Sequence, residues 1–215
     1  MEVSLLGGRT RGAERRSRDR DPEGREWAGT GSASAENDLT PARLPVGEKH
    51  RTVITYLEMN APPARTVPPP ALPLAIIRAQ NPPVHFYRYL YESVGGPWVW
   101  VERRRLDDDA LKAIITDERV EIYLVHVDGV PAGFGELDFR APGRGHLAYF
   151  GLVPEYIGRG IGPYFLDQLV HMAWSHEIEQ MTVNTCTLDH PSALALYQKS
   201  GFAPVARRET VIEAI

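Results

Sequence analysis

Cysteine is nearly absent from this sequence of 215 residues, since Cys186 is the only one. A single cysteine excludes a disulfide within the chain and a zinc cluster of several cysteines, and it fits a reducing compartment such as the cytoplasm. No run of about 18 apolar residues occurs, so no membrane-spanning helix is predicted. The net charge of −4 gives no sign of a surface that binds nucleic acid or an anionic membrane.

Residues 1–48 have few apolar side chains and no strand or helix periodicity. Arginines alternate there with acidic residues, and a stretch of glycine, serine and alanine follows (GTGSASAEN). Such a segment offers too little apolar surface to fold. We therefore predict a disordered tail over 1–48 and one folded domain over 49–215. The acids nearly cancel the arginines, which argues against a nucleic-acid-binding arm or a transit peptide.

The remainder of the chain alternates between strand and helix patterns. Asp128-Gly129 is a two-residue hairpin turn between two β-branched runs, and three consecutive strands there predict an antiparallel meander. The proline-rich segment 61–73 is predicted to be an extended loop. Strands are predicted at 53–59, 120–127, 130–140, 146–152, 181–187 and 202–212, and helices at 83–94, 107–115, 163–176 and 191–200.

The stretch EYIGRGIG places three glycines directly before an apolar helix. A helix N-terminus carries unpaired N–H groups and the positive end of the helix dipole, so it suits an anion. Glycines would let a phosphate approach the backbone closely, although a tight strand-to-helix turn without a ligand has the same appearance. The spacing matches neither the dinucleotide fingerprint GxGxxG nor the GK[ST] of a P-loop.

This stretch, preceded by GLVP and followed about 30 residues later by ALALYQKSGF, resembles the GNAT superfamily of acyl-CoA-dependent N-acyltransferases. The resemblance covers the order of strands and helices over most of 52–214, and its motifs lie between Phe150 and Phe202. It implies an α/β (α+β) fold, in which helices flank a mixed, mostly antiparallel sheet. It also implies that the glycine turn holds the pyrophosphate of CoA.

The resemblance assigns the cofactor site residue by residue. Two positions depart from the family pattern: Ile157 stands where the family has Arg or Gln, and Pro163 lacks an N–H. The backbone of Leu152 and Val153 would pair with pantetheine, and an N–H near Leu152 would polarise the thioester carbonyl. His190 would replace a cofactor-binding asparagine. The pyrophosphate would lie on Gly158, Arg159, Gly160, Ile161 and Gly162.

Acyl transfer also needs a proton donor for the departing thiolate and a group that removes a proton from the amine. Tyr197 matches the family tyrosine that protonates the thiolate, with packing as the alternative role. Glu136 is a candidate base on its strand position alone. The acceptor would contact Asp138, Tyr149, Asn184 and Thr185, although a solvated strand face or packing explains Asp138 and Tyr149 as well.

The sequence thus predicts a cytoplasmic N-acetyltransferase that moves an acetyl group from acetyl-CoA to a primary amine by direct attack in a ternary complex. No metal, nucleic acid or membrane is expected as a partner, and a homodimer is left open. The alternatives are an acyl-CoA-binding sensor without turnover and a protein that binds another nucleotide at the glycine turn. The acceptor, whether a small molecule or a protein amine, is not identified by the sequence.

Overall fold

A computed structural model describes residues 45–215, and most of the predicted tail lies outside this range. The described part contains seven strands, four α-helices and two single-turn 3-10 helices, at Gly96–Trp98 and Pro154–Tyr156. The strands are β1 (Lys49–Met59), β2 (Leu74–Ala79), β3 (Val120–Val127), β4 (Val130–Asp138), β5 (Arg144–Leu152), β6 (Gln180–Cys186) and β7 (Ala203–Glu213). The helices are α1 (Val84–Gly95), α2 (Asp108–Ile115), α3 (Ile161–Trp174) and α4 (Ala193–Lys199).

All seven strands form one sheet in the order β2-β3-β4-β5-β6-β1-β7. Only β5 and β6 are parallel neighbours, and every other pair is antiparallel. The predicted mixed, mostly antiparallel sheet with flanking helices is confirmed. So is the meander of β3, β4 and β5, whose first turn has positive φ at Asp128 (51°) and Gly129 (82°), as a type I′ hairpin requires.

Two features of the sheet are absent from the sequence prediction. β1 lies between β6 and β7, so that Ile54 pairs with Cys186 on one side and with Arg208 on the other. β2 follows the proline-rich connector and pairs with β3 at the edge of the sheet. It is short and largely exposed, which suits an edge strand.

Each face of the sheet has its own apolar core. On one face, hereafter the α3 face, α3 and α4 bury side chains that include Phe165, Leu169 and Tyr197 against Leu137 of the sheet. On the other, hereafter the α1 face, α1 and α2 pack Tyr87, Leu90 and Leu111 against Phe134. Within 45–215, no helix combines the length and the apolar character needed to cross a membrane.

Candidate active site

The chain between β5 and α3 turns through glycines with left-handed backbone angles. Gly158 has a φ of 81°, and Gly160, the N-cap of α3, has a φ of 76°. Side chains are strained at such angles. Gly162 lies inside the first turn of α3, and a Cβ there would meet only the Leu152 side chain, at 3.8 Å. The missing side chain at Gly162 therefore keeps the space at the helix N-terminus open without being required by the backbone.

The strands β5 and β6 separate directly in front of this turn. Their first pair is Arg144 with Gln180, and their last pair is Leu147 with Val183. The strand β5 itself continues to Leu152. The Val153 N–H donates to the Ala132 carbonyl at 2.9 Å, and the Val153 carbonyl accepts from Tyr156, also at 2.9 Å. Successive N–H groups of an extended chain point to opposite sides. The Leu152 N–H therefore faces the gap, whereas both backbone groups of Val153 are occupied.

A cavity of about 1380 Å³ extends from the glycine turn to the α1 face. It includes most of the residues that the sequence singled out, and several contribute through the backbone. The predicted site residues that line it are Leu152, Gly158, Gly160, Gly162, Tyr197, His190, Asp138, Tyr149 and Asn184. The rest lie outside its lining: Val153, Arg159, Ile161, Thr185 and Glu136. Arg159 lies over the Tyr156 ring at 5.1 Å, and Ile161 is fully buried in the core.

Tyr197 lies on α4 and is 6% exposed. Its ring packs edge-on against Phe150 and Phe202, with centroids 6.3 and 6.1 Å away. Its hydroxyl has no hydrogen-bond partner among residues 45–215, and the residue lines the cavity. Burial, with a further contribution from the charge of Asp189, raises the pKa of the phenol well above its usual value. The hydroxyl therefore remains protonated at neutral pH and can serve as a donor.

Asp189 and His190 follow β6 and lead into α4. Asp189 does not cap this helix: the N-cap is Ser192, and no side chain caps it. The Asp189 carboxylate instead accepts hydrogen bonds from Thr185 Oγ1 (2.8 Å), the Cys186 N–H (2.7 Å) and Trp100 Nε1 (3.3 Å). It thereby ties the Trp100 loop to β6. His190 accepts from the Ser192 N–H through Nδ1 (3.1 Å), and its Nε2 is buried without a partner.

Glu136 lies on the α1 face of β4 and is completely buried. Tyr87 donates its hydroxyl proton to Oε2 at 2.5 Å, and Arg103 forms an ion pair with Oε1, also at 2.5 Å. Both carboxylate oxygens are thus occupied. The Arg103 guanidinium also lies over the Tyr149 ring, 5.1 Å from its centroid. Glu136 therefore anchors Arg103, which itself lines the cavity.

The acceptor residues expected from the sequence have different surroundings. Asp138 forms a close ion pair with Arg140, at 2.6 Å. Burial acts to raise the pKa of Asp138, but the hydrogen bonds from Arg140 outweigh it and the pKa is lowered. Asn184 is exposed, whereas Thr185 is buried and hydrogen-bonded to Asp189.

Sequence reasoning identified Tyr149 but missed other residues that form the α1 end of the cavity. An aromatic wall, defined here as Trp98, Trp100 and Tyr149, borders it, and the rings of Trp100 and Tyr149 are 5.1 Å apart. The segment GGPWVW holds two of these rings but has no periodicity that would place them. His146, which no motif in the sequence singles out, also lines the cavity. Among residues 45–215, no group of three or more His, Cys, Asp or Glu side chains could hold a metal ion.

The model of the acetyltransferase (GNAT) family matches residues 87–202, more than half of the chain. The chain belongs to the GNAT family of acetyltransferases, whose members take acyl groups from CoA thioesters. The matched region runs from Tyr87 in α1 to the start of β7 and so contains the glycine turn and Tyr197. Among curated proteins, no relative matches the sequence.

Solved structures share the fold at low sequence identity. A putative GNAT acetyltransferase from Novosphingobium aromaticivorans is 17% identical, with a TM-score of 0.53 over 81% of this chain and 71% of that one. A Drosophila protein is 14% identical (TM-score 0.54, over 79% of this chain and 53% of that one). A conserved protein of unknown function from Staphylococcus epidermidis is 16% identical (TM-score 0.51, over 78% and 64%). The chain thus spans between half and two thirds of the latter two proteins.

Proposed function

We propose that this protein transfers an acetyl group from acetyl-CoA to a primary amine by direct attack in a ternary complex. The observation that carries the proposal is the continuous cavity. It runs from the glycine turn, past the separation of β5 and β6, to the polar and aromatic side chains of the α1 face. Both substrates can therefore meet in one continuous site, which is the main requirement for direct transfer.

The cofactor would bind mainly through the backbone. The pyrophosphate lies at the N-terminus of α3, on the amides of Gly158, Arg159, Gly160, Ile161 and Gly162, where the helix dipole favours negative charge. Pantetheine fills the gap between β5 and β6 beside Leu152, whose free N–H stabilises the developing charge on the carbonyl oxygen. Val153, expected from the sequence to pair with pantetheine as well, has both backbone groups bonded within the protein. The unpartnered Nε2 of His190 donates to the cofactor.

The remaining site residues handle protons and the acceptor. Tyr197 protonates the departing thiolate. The acceptor amine binds beside Asp138, Tyr149, Asn184 and Thr185; Thr185 acts through Asp189, since its hydroxyl is bonded there. Glu136 is proposed to act through Arg103, because its carboxylate has no open side from which to take a proton.

Release of free CoA thiol across a panel of amines tests the proposal. Acetyl-CoA should give acceptor-dependent thiol release with at least one primary amine, and CoA should compete for binding where ATP and NAD do not. Tight acetyl-CoA binding without acceptor-dependent release would favour a sensor without turnover. Displacement of CoA by ATP or NAD would instead favour a different nucleotide at the glycine turn.

A further inference from the structure

Glu136 and His146 both lie near the point where β5 and β6 separate, and only His146 lines the cavity. Glu136 is sealed between Tyr87 and Arg103 and does not line the cavity. His146, on β5, does line it. It pairs across the sheet with Asp138 on β4 and with Thr182 on β6, one residue before the last β5–β6 pair, at Leu147.

The two nitrogens of the His146 ring have different surroundings. Nδ1 lies 2.9 Å from Thr182 Oγ1, on the neighbouring strand. Nε2 is the ring nitrogen away from that contact, and His146 is one of the residues that line the cavity. When Nδ1 carries the proton, it donates to Thr182 and fixes the ring, so that the Nε2 lone pair remains free on the acceptor side.

We infer that His146 is the general base of the reaction and that Glu136 has a positioning role instead. This inference rests on the proposed acetyl transfer. The inference depends on which side chain can contact the acceptor, because a general base must reach the amine proton directly or through one water. His146 lines the cavity and only its Nδ1 is held by Thr182, whereas both oxygens of Glu136 are hydrogen-bonded inside the protein.

Charged groups face His146 from the strands on both sides. On β4, Asp138 is its cross-strand partner but is held by Arg140. On the β6 side, Glu58 of β1 lies opposite Thr182 and accepts a hydrogen bond from Gln180 at 3.1 Å. The buried pair of Glu136 and Arg103 acts from further along β4. Desolvation outweighs the attraction of Asp138, so the pKa of His146 is lowered from its usual 6.5 and the ring is neutral at pH 7.

The protons balance over one turnover. The His146 Nε2 takes one proton from the substrate ammonium, which leaves a neutral amine, and later releases that proton to solvent. The amine nitrogen then forms the C–N bond at the thioester carbonyl, and the C–S bond breaks as the tetrahedral intermediate collapses. Tyr197 gives a proton to the thiolate and regains one from the nitrogen through solvent. The net products are amide, CoA thiol and one released proton.

The pH dependence of kcat/KM for the acceptor tests the assignment. Because neutral His146 takes its proton from the substrate ammonium, whose pKa is about 10, the logarithmic plot should rise with a slope of one below the pKa of the base and level off above it. This change of slope, hereafter the break, is expected below pH 6.5 in the wild-type protein, because the pKa of His146 is lowered from the usual histidine value of 6.5. His146→Gln should lower kcat/KM about 10²-fold at pH 7.5 and keep a slope of one throughout.

His85→Gln is the matched control, because His85 is exposed on α1 and does not line the cavity. It should keep the wild-type profile. Glu136→Gln should keep the break as well, even if its rate falls. In His146→Ala, added imidazole should restore part of the rate while acetyl-CoA affinity stays at the wild-type value, which a purely structural role would not produce.

A break that persists in His146→Gln and disappears in Glu136→Gln would overturn the assignment, as would a His146→Gln rate equal to wild type. If His146→Gln does not fold, imidazole rescue of His146→Ala decides, and its failure in a folded His146→Ala would count against the base. Absence of acceptor-dependent thiol release in the wild-type protein would instead remove the proposed acetyl transfer, so the two failures are distinguishable.

Discussion

The two ends of the cavity are constructed in different ways. At the glycine turn the surface is mostly backbone, and the residues involved follow one another between Leu152 and Gly162. At the α1 end it consists of side chains from distant segments, such as Trp100, His146 and Asp189, which the fold brings together. A backbone site needs glycines at fixed spacing, which a sequence displays, whereas a side-chain site depends on tertiary contacts. The end proposed for the cofactor can therefore be recognised in the sequence, and the end proposed for the acceptor cannot.

The largest expected effect is at the cofactor end, on replacement of Gly162. This position has ordinary helical angles and open space, so a new side chain should leave the fold intact. Gly162→Asp puts a carboxylate where the pyrophosphate is proposed to bind and should weaken acetyl-CoA binding by at least about 100-fold, because like charges held close together repel. Calorimetric titration measures this loss.

Gly162→Asn separates charge from volume, since its side chain has the same shape without the charge. It should bind acetyl-CoA at least about 10-fold more tightly than Gly162→Asp, in line with the cost of placing like charges close together. Equal affinities for the two variants would mean that volume alone matters there. Wild-type affinity in Gly162→Asp would refute the pyrophosphate assignment and with it the contrast between the two ends.

Tyr197 borders the point where the two ends meet and should show the second-largest effect. Tyr197→Phe removes only the hydroxyl, which has no partner among residues 45–215, so the packing against Phe150 and Phe202 is kept. We expect kcat to fall about 10²-fold, the size typical of a lost general acid, with acetyl-CoA affinity unchanged. Steady-state kinetics, together with a measurement of acetyl-CoA binding, checks this prediction. An unchanged kcat would mean that Tyr197 only packs against its neighbours.

The same contrast explains how far the sequence could be interpreted. Local patterns predicted the β3–β4 hairpin and the α3 stripe, because turn residues and apolar spacing act over a few residues. The position of β1 depends on pairs such as Ile54 with Cys186, which no local signal encodes. Glu136 was a reasonable candidate base by strand position, but its partner Arg103 lies 33 residues away in a segment without periodicity. Burial by a distant residue is what sequence patterns reveal least.

The smallest effect is expected at Val99, which lies between two rings of the aromatic wall, Trp98 and Trp100. Its φ of 61° and ψ of 38° are left-handed, a conformation that costs a β-branched residue about 1–3 kcal/mol. Val99→Gly removes this strain but adds freedom to the unfolded chain, which offsets about 0.5–1 kcal/mol of the gain. The free energy of unfolding should therefore rise by at most about 2.5 kcal/mol, as measured by denaturant titration.

The Val99→Gly substitution should still change KM for the acceptor, because a strained backbone at a functional site fixes the position of the neighbouring residues. A glycine at 99 loosens the turn that presents Trp98 and Trp100, so KM for the acceptor should rise about threefold, which corresponds to well under 1 kcal/mol. Val99→Asn is the matched control, since asparagine tolerates this conformation without the freedom of glycine and should keep KM close to wild type. Acetyl-CoA affinity should be unchanged in both variants. A rise in KM with Asn as large as with Gly would show that the valine side chain itself contacts the acceptor, and a loss of acetyl-CoA affinity would show that the two ends of the cavity are not independent.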